Sequence, residues 1–323
     1  MATNVKKQTG FWATVKEMVV LLLIVFIVRT IGFGLYQVPT GSMETTVLVG
    51  ERFFADKFTL LFKPLKRGDV IAFNEPETLF NYSANPIVNF FQQYVWGPRN
   101  LTKRIIGLPG DHLRGTIENG KPVIYLNGKV LEEPYLNKYP LIAVQSDSPE
   151  KIEKMSDDFI AELLFTRRID STQINDIKNQ LKQHFVTWRS YDPAVPLDKQ
   201  PFYRIKPEEV VKGPDGMPLM RQPYTVLETP KPDKIGKNVW GHNSDEFDIE
   251  LGPNEYWCMG DNRLGSGDSR SFGPVNGKFI HGKIIFRIWS IDSDESWWIV
   301  DLIKHPIDFW SRVRWSRFFD VVR

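Results

Sequence analysis

The chain has 323 residues, 25% of them charged, with a formal net charge of +2 and a single cysteine, Cys258. Such a length suffices for one large domain or two ordinary ones. The near balance of acid and base lacks the clustered basic excess of a nucleic-acid binder, so no nucleic-acid partner is expected, and one cysteine excludes an intrachain disulfide framework. Zinc-type Cys/His spacing, a Walker motif and a dinucleotide glycine motif are all missing from the sequence, and the histidines at 112, 184, 242, 281 and 305 are scattered. Neither a metal nor a cofactor is expected.

Lys6, Lys7 and Lys16 precede an unbroken apolar run over residues 18–28. A helix over 18–36 would be about 30 Å long, the thickness of a bilayer's hydrocarbon core. The expectation is a transmembrane anchor at 18–36 behind a cytoplasmic N-terminus at 1–17, the lysines favouring the cytoplasmic side. Arg29 would then snorkel to the far interface. A cleavable leader is the rival, but no clear small-x-small cleavage site follows the apolar core. Directly after it comes YQVPTGSMETTV, residues 36–47, with Ser42 between a glycine and a methionine.

The texture then becomes β. ERFFADKF, RGDVIAF and LTKRIIGL are short apolar-rich runs bounded by Gly, Pro, Asp and Asn. In VIYLNGKVL, Asn127-Gly128 suits the positive φ angles of a type I′ hairpin turn. Residues 141–235 change character. Ser148-Pro149-Glu150 reads as a helix start, and Ile174, Ile177, Leu181 and Phe185 recur at helical spacing, an apolar stripe expected to pack on the parent domain. Nine prolines between 191 and 233 predict an extended, surface-following connection. Strands resume in IELGPNEYWCMGDNR and KFIHGKIIFRIWSI, and the tail at 301–323 mixes aromatic residues with arginine. It fits an interfacial helix or an end packed on the sheet equally well. The fold class expected is mainly β, an antiparallel sheet or barrel-like catalytic domain over 37–140 and 236–300, with a partly helical insertion at 141–235.

A serine hydroxyl needs a base before it can act as a nucleophile. No G-x-S-x-G elbow surrounds Ser42, and His112 in GDHL reads as a structural turn residue. The other suitable base is a lysine kept neutral: its ordinary pKa of about 10.4 falls to about 7–8 in apolar surroundings. Lys103, in a strand with Leu101, Ile105 and Ile106, fits such a setting, the other reading being a solvent-facing strand lysine. Strand alternation sends Lys103 and Arg104 to opposite faces, one expected inward and the other outward.

PTGSM, RGDVIAF, KRIIGLPGD and GDNRLGSGDSRSFGPV follow the apolar segment in that order, with NGKVLEEPY between them. This series resembles bacterial signal peptidase I, the membrane-bound serine–lysine endopeptidase of preprotein export. The resemblance covers roughly residues 31–139 and 249–291. It implies Ser42 as nucleophile, Lys103 as general base, and Ser266 as the hydroxyl that orients the lysine. Thr40 stands where the family usually has a serine whose hydroxyl joins the Ser42 N–H as oxyanion hole. Asp261 and Arg104 match an ion pair beside the reacting residues, and Asp268 and Arg270 match residues that shape the loop. Tyr36, Val38, Pro39, Met43, Val47, Leu101 and Thr102 are implied as the lining of shallow pockets for small side chains, of the Ala-x-Ala type.

The implied setting is the bacterial inner membrane, single-pass, with the catalytic domain outside. Signal-peptide-bearing preproteins, the lipid bilayer and proximity to the export translocon are the implied partners. Two departures stand out: Thr45 replaces a common proline, and Leu264-Gly265 replaces a polar pair. They leave room for an alternative, a catalytically silent or single-substrate membrane-tethered β-domain factor. The related self-cleaving serine–lysine repressors carry a DNA-binding domain where this chain has its apolar segment.

Overall fold

The computed structural model describes residues 10–28, 32–94, 97–145, 149–165, 174–176, 186–221, 245–293 and 298–322. The first element, α1 (Phe11–Ile27), has 17 residues. It carries the apolar run, and Met18 to Phe26 are between 46% and 60% exposed. Among the described residues no helix is long and apolar enough to cross a membrane. The expected helix over 18–36 is therefore corrected at its C-terminal end: residues 33–37 form a strand, β1 (Phe33–Gln37), paired with β2 (Arg52–Asp56). Gly32 and Gly34, poor helix formers, precede and enter this strand, and β-branched or aromatic neighbours take over. Arg29 lies outside the described residues.

The expected strands along the middle of the chain are present. β3 (Val70–Asn74) and β4 (Asn100–Gly107) follow, joined by an excursion with a short helix, α2 (Pro86–Tyr94), that the sequence reading did not anticipate. β5 (His112–Glu118), β6 (Lys121–Leu126) and β7 (Lys129–Val130) form a meander. Its last turn has Asn127 at φ 50° and Gly128 at φ 81°, as the Asn-Gly pair dictates.

The insertion departs from expectation. It contains a two-stranded antiparallel sheet of β8 (Leu141–Gln145) and β9 (Val186–Ser190) in addition to helix α3 (Pro149–Phe165), which begins at the expected proline. Ser148, Ile177, Leu181 and Phe185 lie outside the described residues, while Ile174 is helical. The proline-rich stretch is not wholly surface-following. Tyr203, Ile205 and Val210 are buried against Leu48, Val49, Ile142 and Val144.

β10 (Phe247–Glu250) joins the sheet of β5–β7, and β11 (Glu255–Met259), α4 (Ser269–Phe272), β12 (Val275–Asn276) and the long β13 (Ile280–Trp289) return to the first sheet. That sheet runs β1-β2-β13-β3-β4-β11-β12, all ladders antiparallel. The fold is thus mainly β, as expected. The tail folds back through α5 (Trp298–Lys304), α6 (Asp308–Arg312) and β14 (Asp320–Val321), which pairs with β13. Phe309 and Val313 bury against Ile291, Trp289 and Trp298. The tail therefore packs on the sheet.

Both faces of β4 are covered. On one, Ile71, Phe73, Ile105 and Cys258 cluster; on the other, Ile106 packs with Leu113, Trp257 and Met259. This corrects the inward–outward expectation for the two basic residues of β4, because Lys103 is 3% and Arg104 2% exposed. A sheet sandwiched on both sides has no wet face for either.

Candidate active site

Ser42 occupies a single 3-10 turn, Gly41–Met43, that follows β1. Two neighbours pin this turn. Met43 and Val47 are fully buried with Val38, Phe53, Val70, Ala72 and Ile284, and each such burial contributes roughly 1.5–3 kcal/mol. Both side chains are buried behind the turn and are not among the residues that line the cleft. Side chains in a tight turn do not alternate as in a strand, so proximity to Ser42 in sequence did not place them in the cleft.

Lys103 enters from β4, opposite Ile71 of β3. Its Nζ lies 2.7 Å from Ser42 Oγ. Strand geometry puts Ile71 and Ile105 on the lysine's own face of the sheet. Burial among them lowers the Lys103 pKa to about 8, an effect partly offset by the Asp268 carboxylate. An amine with that pKa is free to accept the hydroxyl proton of Ser42 in a useful fraction of molecules near neutral pH.

The rest of the expected set surrounds this pair. Arg104 Nε and Nη2 donate to the two Asp261 oxygens at 2.8 and 2.6 Å, both residues buried, and the guanidinium lies 4.1 Å from the Tyr135 ring centre. Asp268 caps α4 and accepts from the Gly260 N–H at 3.1 Å. Burial alone would raise its carboxyl, but Arg270 beside it holds the pKa below the ordinary range. Arg270 in turn bonds Asp245 and the Arg263 carbonyl at 2.7 and 2.8 Å, so the loop between β11 and α4 has its shape fixed despite Leu264-Gly265.

Ser266 is buried in that loop. A Cβ at Gly260 would fall 2.3 Å from Ser266 Oγ and 2.4 Å from the Ser42 carbonyl oxygen, so only glycine allows loop and nucleophile turn to close up. Asn262, which the sequence reading passed over within its own GDNR motif, fastens the turn. Its N–H donates to the Ser42 carbonyl at 3.1 Å and its Nδ2 to the Gly41 carbonyl at 2.9 Å. Where Thr45 replaces a proline, the chain is held by arginines instead. Arg287 Nη2 and Arg317 Nη2 donate to the Thr46 carbonyl at 2.7 and 3.0 Å, and Thr46 Oγ1 donates to Asp261 at 2.5 Å. The Glu44–Thr45 peptide bond is cis.

A cleft of about 890 Å³ opens at Ser42 and Lys103. Tyr36, Val38, Pro39, Leu101 and Thr102, named above as pocket residues, line it, and so does Thr40, named as an oxyanion donor. Thr40 is exposed there, with extended backbone. His281 and Asn74 line it as well, although nothing in their sequence context marked them. Burial, then the charge of Lys57, hold the His281 imidazole down at about 4 and hence neutral. His112 stands apart on β5, paired with Asp248 at 2.5 Å. Among the described residues no His/Cys/Asp/Glu group has the arrangement of a metal site.

The chain is 25% identical over 303 residues to signal peptidase I of Buchnera aphidicola, covering 91% of this chain and 80% of that one. It is 32% identical over 142 residues to signal peptidase I P of Bacillus subtilis subsp. natto, covering 44% of this chain and 64% of the Bacillus protein. A crystal structure of a signal peptidase I from Enterococcus faecalis matches 69% of this chain and 97% of that one, with 17% identity and a TM-score of 0.26. The sequence model of the family described as signal peptidase, peptidase S26, matches residues 11–198 and 213–289, well over half of the chain, and the chain belongs to that family.

Proposed function

We propose that the chain is a membrane-anchored serine endopeptidase that removes N-terminal signal peptides from exported preproteins. Neutral Lys103 takes the proton of Ser42, the alkoxide attacks the scissile carbonyl, and the Ser42 N–H with the Thr40 hydroxyl holds the oxyanion. Two such donors contribute about 3–4 kcal/mol each to the transition state. Lys103 then protonates the leaving amine and activates the water that releases the acyl-enzyme. Ser266 orients the lysine, and the Arg104–Asp261 and Asp268–Arg270 pairs keep β4 and the loop in register.

One observation carries this reading: a buried amine, its pKa brought to about 8, lies 2.7 Å from the hydroxyl of a cleft-lining serine. The cleft walls of Tyr36, Val38, Pro39, Leu101 and Thr102 suit small side chains at the residue before the cut and two before that. Larger ones are rejected by overpacking. The exposed apolar surface of α1 supports an anchor in the bacterial inner membrane, with the N-terminus cytoplasmic and the cleft outside, close to the translocon that delivers the substrate. A Ser42→Ala or Lys103→Ala variant, purified in detergent and still folded, is expected to leave a preprotein uncut. Normal turnover by either one overturns the mechanism.

A further inference from the structure

The nucleophile turn rests on a buried acid that the reaction itself does not use. Glu44 closes the turn through its N–H, which donates to the Gly41 carbonyl at 3.2 Å. Its carboxylate folds back beneath Gly41, where a Cβ would lie only 2.2 Å from Oε1. The side chain is fully buried and absent from the cleft lining.

Glu44 receives its donors from the insertion. The Ser190 N–H donates to Oε2 at 3.0 Å, the Ser190 hydroxyl donates to the same oxygen, and the Tyr203 hydroxyl donates to Oε1 at 2.6 Å. Each hydroxyl has its orientation set from behind. Asn137 Nδ2 donates to Ser190 Oγ at 2.9 Å, and the Val49 N–H donates to the Tyr203 oxygen at 3.1 Å. Both hydroxyl protons are thereby turned toward Glu44, and only a group with acceptors on both oxygens matches them. Asn137 also donates its own N–H to the Asp261 carbonyl at 2.9 Å. One chain of bonds thus runs from the loop that holds Ser266, through the insertion, to the turn that holds Ser42.

We infer that Glu44 is a positioning residue for Ser42, and that the insertion, through Ser190 and Tyr203, is the part of the fold that fixes it. The inference rests on the serine–lysine reading above. Ser42 must present its oxygen to Lys103 and its N–H to the oxyanion at once, which a turn free to rock cannot do. Asn262 fastens the Gly41 and Ser42 carbonyls, and Glu44 holds the turn through its N–H and through the carboxylate packed against Gly41.

The test uses the full-length chain in detergent and a fluorogenic peptide with Ala-x-Ala before the scissile bond, read as single-turnover acylation per titratable serine. Glu44→Gln preserves size but sets an amide N–H₂ against a hydroxyl donor. It is expected to slow acylation and kcat at least tenfold while KM stays within twofold, since the cleft lining is untouched. Tyr203→Phe is expected to lower kcat about threefold or more at unchanged KM. The double variant is expected to be no slower than Glu44→Gln alone, because the opposing donor is gone.

Acylation by Glu44→Gln within twofold of the parent, or strictly multiplicative losses in the double variant, overturns the inference. If Glu44→Gln does not fold, Tyr203→Phe decides: kcat unchanged rejects the insertion's role. Ser42→Ala is run alongside. Should it still cleave, the serine–lysine reading itself has failed, an outcome distinct from failure of the Glu44 inference.

Discussion

Replacing Lys103 with methionine separates the stability of this site from its chemistry. Burial brings the lysine from an ordinary 10.5 to about 8. That difference means the charged form is disfavoured in the fold by about 3.4 kcal/mol. Below pH 8 the parent carries that penalty in full. Between about 8 and 10.5 the unfolded chain holds more protons than the folded one, so stability rises with pH through that window. Methionine, of similar length and without charge, carries no such term. It forfeits the contact with Ser42, worth about 1 kcal/mol, and leaves a small void.

The variant is therefore expected to be inactive yet more stable than the parent by about 1–2 kcal/mol at pH 6.5. Its advantage should shrink by about 2.5 kcal/mol between pH 6.5 and 10. Urea unfolding of both proteins at the two pH values measures this directly. A difference independent of pH, or a variant less stable than the parent at pH 6.5, refutes the claim that the amine is held against its charge.

Two further outcomes follow from the same geometry. kcat/KM for an Ala-x-Ala peptide is expected to rise about tenfold from pH 7 to 9 as a base of pKa about 8 loses its proton, and a flat profile over that range contradicts a lysine base. Gly260→Ala, whose new methyl group would press on Ser266 Oγ and the Ser42 carbonyl, is expected to cost about 1–3 kcal/mol of stability and most of the activity, measured by urea midpoint and kcat; a kcat near the parent's refutes the close fit.

The sequence pointed to Ser42 and Lys103 as a candidate pair through the resemblance its four ordered motifs carry. The local setting of each residue, Ser42 beside glycine after an apolar segment and Lys103 among isoleucines, agrees with that but does not single the pair out. The Asn127-Gly128 hairpin was legible from local sequence alone, since two adjacent residues determine the turn. What was missed depends on distant partners. Glu44 looks like one more polar turn residue until β9 brings Ser190, 146 positions later, against it. Met43 and Val47 were implied as pocket residues by the resemblance, and nothing local says how deeply their side chains are buried. The β8–β9 sheet was hidden because its strands are separated by α3 and its neighbouring pattern was helical. The end of α1 was overrun because the aromatic residues of β1 continue its hydrophobic character without continuing its helix.

The arginines that hold the segment after Ser42 have a bearing on how the protein is made. Arg317 Nη2 reaches the Thr46 carbonyl at 3.0 Å and its Nε reaches Glu51 at 2.6 Å. A ribosome releases residues 42–51 long before it releases either Arg287 or Arg317, the two arginines that reach these acceptors. The segment that follows Ser42 is thus fastened by a residue 271 positions downstream of Thr46, so its final set of contacts is a late event in the life of the chain.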